Sequence, residues 1–164
     1  MGSVLRIMLD TNVYGLIIEK EDPEEMIVKI AGSGLLICGS TVIRAELRDT
    51  PKAKVSGKRK LRLRLLSSYD SLVSDKRNYG ANEIIRKIAG EYNEHYKGSH
   101  SLNELKNDFL IVATASLHGL DVVVSEDEKT MKSPLALEAY TNLNKKYDLM
   151  SPHFIGFGQF KELL

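Results

Sequence analysis

The sequence predicts an α/β sandwich built on a mostly parallel sheet, and three features of the chain carry that reading. Short apolar runs recur at Val4–Leu9, Leu35–Cys38 and Asp121–Ser125, each of strand length and apolar enough to be buried on both faces. Stretches with helical spacing separate them, as parallel strands require, because a parallel pair cannot be closed by a tight turn. Capping residues and glycines punctuate the boundaries, giving strand, helix, helix, strand, helix in the first part of the chain.

The elements follow in order. Val4 to Leu9 is apolar except for Arg6 and reads as a central strand. Asp10-Thr11-Asn12 supplies capping residues ahead of the apolar Val13 to Ile18. A second helix starts after Asp22-Pro23, with Pro in its first turn and Glu24 and Glu25 near the positive dipole end, and it stops at Gly32-Ser33-Gly34. Leu35 to Cys38 is the second strand, and Ser40-Thr41 caps a helix reaching about Asp49. An extended helical middle occupies about 50–100: Lys58 to Ser74 and Asn82 to Tyr96, broken at Gly80 and Gly98-Ser99. Leu102 to His118 is the next helix, ended by Gly119 in the position of a left-handed cap. Val122-Val123-Val124 forms the third strand, and Pro134 to Tyr147 has a helical pattern. His153 to Leu164 reads as a short strand through Phe157 and a final helical turn. No internal repeat or low-complexity linker interrupts the pattern, so residues 1–164 are expected to form one domain.

Bulk properties narrow the function. The chain has 164 residues, 43% hydrophobic and 27% charged, which excludes a disordered or fibrous protein. A net charge of +1 means that any basic footprint for a nucleic acid must be local. Cys38, the only cysteine, excludes an intrachain disulfide and a cysteine-rich zinc site, and its apolar run predicts a small buried hydrophobe. There is neither a signal-peptide pattern nor an apolar run near the roughly 20 residues of a membrane helix. A soluble, cytoplasmic protein without a membrane partner is expected.

Four carboxylates occupy places that need explaining. Asp10 directly follows the first strand, at the carboxyl end where α/β sheets place ligands, although it could simply cap the next helix. Residues 42, 43, 46 and 47 share one helix face, so Glu46 lies in a stripe with Val42, Ile43 and Leu47. An ionised carboxylate there costs several kcal/mol unless a cation or donors meet it; the alternatives are an ion pair with Arg6 or Arg44, or an escape to solvent. Asp108 lies among Leu105, Phe109 and Val112 at helical spacing, where a salt bridge is the alternative. Asp127 follows the third strand, where it or Ser125 could act as a cap, and Glu126 and Glu128 leave the choice of acid open. Brought to one sheet edge, four such acids repel and raise one another's pKa. A hard divalent cation, Mg²⁺ or Mn²⁺, removes that conflict, and no histidine or cysteine cluster suggests zinc. Acid clusters of this kind serve phosphodiester cleavage.

These residues resemble a known family. Met8-Leu9-Asp10-Thr11-Asn12-Val13 is similar to the opening motif of PIN domains, and Ser40 to Leu47, with Glu46, is similar to the second. Asn107-Asp108 through Ala115, then Gly119 to Ser125, resembles the third motif running into a strand. Ser125-Glu126-Asp127 corresponds to the fourth, and Ser151-Pro152 to Phe160 resembles the family's closing strand and helix. The resemblance implies a three-layer, Rossmann-like α/β/α sandwich and a Mg²⁺- or Mn²⁺-dependent endoribonuclease. It also implies Asp10, Glu46, Asp108 and Asp127 as metal-holding acids, with Thr11, Asn12 and Ser125 supporting them. Small members are often toxins of VapBC toxin–antitoxin pairs, homodimers inhibited by an antitoxin, and the resemblance equally allows an RNA-processing nuclease. Two departures stand out. Thr130-Met131 occupy the place of the family's usual aromatic after the fourth motif, and the middle segment is longer than in compact toxins.

Between Asp49 and Asp70 stand Lys52, Lys54, Lys58, Arg59, Lys60, Arg62 and Arg64 with no acid among them. Such a block can neutralise several phosphates of an RNA, or it can be a solvated helix face. Tyr69 and Tyr79 could stack on bases, though core packing is the simpler role. His95, His100, His118 and His153 show no metal spacing. Two other functions fit less well. One is a catalytically silent PIN-like module that binds RNA or protein, which the full set of acids argues against. The other is a phosphotransfer domain, whose acidic pair Asp10-Thr11-Asn12 does not supply.

Overall fold

The computed structural model describes residues 3–164. Strand β1 (Arg6–Leu9) is followed by α1 (Thr11–Lys20), α2 (Pro23–Gly32), β2 (Leu36–Ser40) and α3 (Thr41–Arg48). A small hairpin, β3 (Val55–Ser56) and β4 (Arg59–Lys60), precedes α4 (Leu61–Leu72), a 3₁₀ turn (Asp75–Arg77) and β5 (Asn78–Tyr79). The chain continues through α5 (Glu83–His95), α6 (Leu102–Leu117), β6 (Val122–Val124), α7 (Pro134–Lys146), β7 (His153–Ile155) and α8 (Phe157–Glu162).

The main sheet is parallel throughout, in the order β5-β2-β1-β6-β7. From β1 the chain builds outward to β2 and β5, and then returns to add β6 and β7 on the other side. The strand order therefore reverses between β1 and β6, where open α/β sheets form a ligand crevice beyond the strands' carboxyl ends. Ile7, Met8 and Leu9 are fully buried, as a central strand covered on both faces requires. Helices α1 to α4 pack among themselves, as do α5 to α7. Tyr14 lies against Tyr69 in the first group, and Tyr92, Phe109 and Tyr140 meet edge to face in the second. Among the described residues no helix is long and apolar enough to cross a membrane.

The predicted punctuation holds at most boundaries. Asp22 caps α2 with Pro23 at its start, Ser40 caps α3 through the Ile43 amide, and Gly119 turns the chain at φ 63° after α6. Two details of the middle segment differ. The predicted helix from Lys58 begins only at Leu61, because Val55–Ser56 pairs antiparallel with Arg59–Lys60 around Gly57, whose φ of 64° favours glycine. The break near Gly80 also contains a strand, β5, which pairs with Gly39 and Ser40. Both pairings involve strands of two residues, too short to generate an alternating pattern.

Candidate metal centre

Asp10 ends β1 and caps α1, so the cap and the candidate ligand are the same residue. Its Oδ1 accepts from the Thr11 amide at 2.8 Å, while Oδ2 accepts from Ser125 Oγ at 2.7 Å and Asn12 Nδ2 at 3.3 Å. Burial pushes its pKa up and the charge of Asp127 adds to that, against the pull of the Ser125 and Thr11 hydrogen bonds.

Glu46 reaches the same place from α3. Thr11 Oγ1 donates to Glu46 Oε1 at 3.0 Å, which joins the second motif to the first. Neither arginine expected as its partner is available. Arg44 forms a two-point bond with Asp70, at 2.9 Å on each arm, and Arg6 donates to the His118 carbonyl and Tyr79 hydroxyl. Burial raises the Glu46 pKa, with a further push from Asp10, although Thr11 and Asn107 donate to it.

Asp108 is the least satisfied of the four. Among the described residues its Oδ2 is buried without a hydrogen-bond partner. Its pKa is pushed up to about 7, first by burial and then by Asp10, Asp127 and Glu46, with only the nearby Thr130 side chain opposing. Asp127 differs. Burial raises it, but hydrogen bonds from Thr130, Met131 and Lys129 prevail and hold it below the usual carboxylate range. Its Oδ1 accepts from the Thr130 amide at 3.0 Å and the Lys129 amide at 3.2 Å, and its Oδ2 from the Thr130 hydroxyl.

The neighbouring acids are occupied elsewhere. Glu126 Oε1 accepts from the Phe157 amide at 2.6 Å, and Glu128 pairs with Lys132 at 2.7 Å. Ser125, fully buried, donates to Asp10 and accepts from the Asp127 amide at 3.0 Å, so one hydroxyl registers two candidate acids. Asn12 completes the link: its Nδ2 also reaches Ser125 Oγ at 3.4 Å, and its Oδ1 accepts from the Glu126 amide at 3.2 Å.

Asp10, Glu46, Asp108 and Asp127 thus share one electrostatic environment, and among the described residues none of them has a Lys, Arg or His ion-pair partner. No three or more Asp, Glu, His or Cys side chains among the described residues form a ready-made metal cage. The donor set still suits a hard divalent ion, since it is all carboxylate oxygen with one buried oxygen unpartnered, and Mg²⁺ keeps several of its waters instead of needing a full protein shell.

The basic block makes no hydrogen bond or ion pair with these acids among the described residues. Lys58, Arg59 and Lys60 lie on the β3–β4 hairpin, beside an open groove of about 540 Å³ that also borders α2 and α4. Arg62 donates to the Thr50 carbonyl at 2.8 Å and Arg64 to Ser56 Oγ at 2.8 Å, whereas Lys52 and Lys54 are exposed. Tyr69 is 1% exposed and belongs to the core, as does Cys38. Tyr79 stacks on His118 with ring centres 3.8 Å apart. Sequence reasoning did not single out Thr130 or Asn107 as support for the acids. The Asp-x-x-Thr spacing of Asp127 and Thr130 was a readable sign of a side-chain-closed turn.

The PIN domain family matches residues 7–133. No curated protein gives a significant sequence match. Among solved structures, VapBC2 from Rickettsia felis bound to a DNA fragment from its promoter matches with TM-score 0.58 and 16% identity, covering 93% of this chain and 99% of that one. FitAcB from Neisseria gonorrhoeae matches with TM-score 0.58 and 22% identity, covering 91% and 96%. FitAB bound to an IR36 DNA fragment gives 0.55 and 18%, covering 92% and 94%. Motif order, sheet topology and family match agree: this chain belongs to the PIN-domain family.

Proposed function

We propose that this protein is a Mg²⁺- or Mn²⁺-dependent endoribonuclease whose metal is held by Asp10, Glu46, Asp108 and Asp127. The observation that carries the reading is Asp108: a buried carboxylate oxygen without a donor, on a group whose pKa is raised by the charges of three other acids and which has no cationic partner among the described residues. A folded protein keeps such repulsion when a ligand relieves it. When bound, a divalent ion supplies an acidified water and offsets the charge on the phosphate under attack.

The chain's own groups do the positioning. Thr11 fixes the rotamer of Glu46, Ser125 and Asn12 fix Asp10, and Thr130 with the Lys129 amide holds Asp127. Lys52, Lys54, Lys58, Arg59, Lys60, Arg62 and Arg64 supply the phosphate-binding face for the RNA. The VapBC2 and FitAB structural likenesses, together with the motif resemblance, support a toxin of a VapBC-type pair, a cytoplasmic homodimer held inactive by an antitoxin protein.

The test is cleavage of end-labelled RNA by wild type and Asp10→Asn, each with Mn²⁺ and with EDTA. Cleavage that needs Mn²⁺ and is lost in Asp10→Asn is the expected result. Equal cleavage by both proteins would place the activity elsewhere, and RNA binding without cleavage would identify a silent binding module.

A further inference from the structure

Helices α1 and α8 border an open groove of about 570 Å³ that begins at Asn12, the hydrogen-bond partner of Asp10. Asn12 and Glu126 form its near end, and both belong to the hydrogen-bonded link around Asp10. One face of α1 continues the wall through Gly15, Leu16 and Glu19 to Lys20, and α8 supplies Phe157, Gly158 and Lys161 opposite. Asn12 to Lys20 spans about 12 Å at the helical rise, the length of about three stacked nucleotides.

Two glycines floor this groove without an internal reason. A Cβ on Gly15 or Gly158 would meet no heavy atom within 4 Å. Gly15 also lies inside α1, where glycine is a poor helix former. Packing within the chain does not require either residue, while both leave the backbone open to close approach from outside. The polar groups sort by position. Lys20 stands at the far end, where it can meet a phosphate, and Lys161 opposite it is paired with Glu21 at 2.8 Å. Glu126 at the near end and Glu19 farther along α1 supply carboxylates, which repel phosphates but accept the exocyclic amino groups of bases; Glu126 does so through Oε2, since its Oε1 accepts from the Phe157 amide.

We infer that this groove is the subsite for the nucleobase next to the scissile phosphate of single-stranded RNA, and that it favours bases presenting amino groups. That the phosphate is scissile rests on the nuclease reading; the binding of the base does not. Fluorescence anisotropy with labelled oligo(A), oligo(C) and oligo(U) in EDTA tests it without activity. Wild type is expected to prefer oligo(A) and oligo(C) over oligo(U). Gly15→Leu and Gly158→Leu, which fill the groove from separate helices, are each expected to weaken binding about fivefold or more. Gly90→Leu is the matched control, an α5 glycine whose Cβ is equally unobstructed, and it should bind as wild type does. If one filling variant fails to fold, the other decides.

Wild-type affinity in both filled variants, no RNA binding by wild type, or a changed sedimentation coefficient in Gly15→Leu (a seam between copies) would each overturn the inference. The two readings fail separately. Groove-dependent binding without Mn²⁺-dependent cleavage removes the nuclease and keeps the subsite. Cleavage with undiminished binding by the filled variants does the reverse.

Discussion

Asp108 concentrates the electrostatic cost of the site. Its folded pKa of about 7 lies above the ordinary aspartate value of 3.8, so the folded state keeps a proton that the unfolded state has already lost. The stabilising contribution is complete below about pH 4 and is lost as pH rises to about 7. In EDTA the wild type should therefore be more stable at pH 5 than at pH 8. Asp108→Asn should raise stability at pH 8 by about 2 kcal/mol, after discounting the bare shift for partial exposure, with the gain shrinking towards pH 4. Thermal unfolding at the two pH values reads this directly, and an equal melting temperature for both proteins at pH 8 counts against it. Mn²⁺ should stabilise the wild type more than the variant. Ser125→Ala is expected to cost about 1–3 kcal/mol in urea unfolding, the scale of one buried hydroxyl with partners on both sides. Asp10, Glu46 and Asp108 were legible in the sequence because a strand end or an apolar helix face makes a carboxylate anomalous. Thr130 and Asn107 were not, because a polar residue in a turn or on the exposed side of a helix contradicts no pattern.

At the scale of elements, the close approach of α4 to β2 depends on one glycine. A Cβ on Gly39 would collide with the Tyr69 hydroxyl and lie 2.7 Å from its Cζ. Tyr69 cannot swing aside: it is buried, packed 5.3 Å from the Tyr14 ring, and hydrogen-bonded to the Ser40 carbonyl and Asn78. Gly39→Ala should destabilise by about 2–4 kcal/mol, measured by denaturant titration. A loss within about 0.5 kcal/mol would mean that the tyrosine relaxes freely. The same region marks the limit of sequence reading. The long strands and helices declared themselves through apolar runs, caps and Pro23. The hairpin and β5 did not, since their pairing is set by Gly57 and by the sheet edge that β2 offers.

Over the whole molecule, the charge of +1 conceals a strong separation. Of 23 basic residues, seven lie between Asp49 and Asp70, which leaves 16 elsewhere against 22 acids. The rest of the chain is therefore net acidic and one segment basic, so attraction of a polyanion is strongest at that segment and decays over about 8 Å at physiological salt. The seven residues are not equivalent. Lys58, Arg59 and Lys60 have no acidic partner among the described residues, whereas Arg62 and Arg64 tie α4 to Thr50 and Ser56. Replacing Lys58, Arg59 and Lys60 together with Ala should leave the melting temperature nearly unchanged. It should weaken RNA binding alike for all sequences, and lower the slope of log K against log salt by about 2, at roughly 0.7 for each phosphate no longer neutralised. Arg62→Ala should act differently, loosening the hairpin junction and lowering the melting temperature. Anisotropy titrations from low to physiological salt separate the two cases. An unchanged slope in the triple variant would show that the phosphates run past another face of the protein.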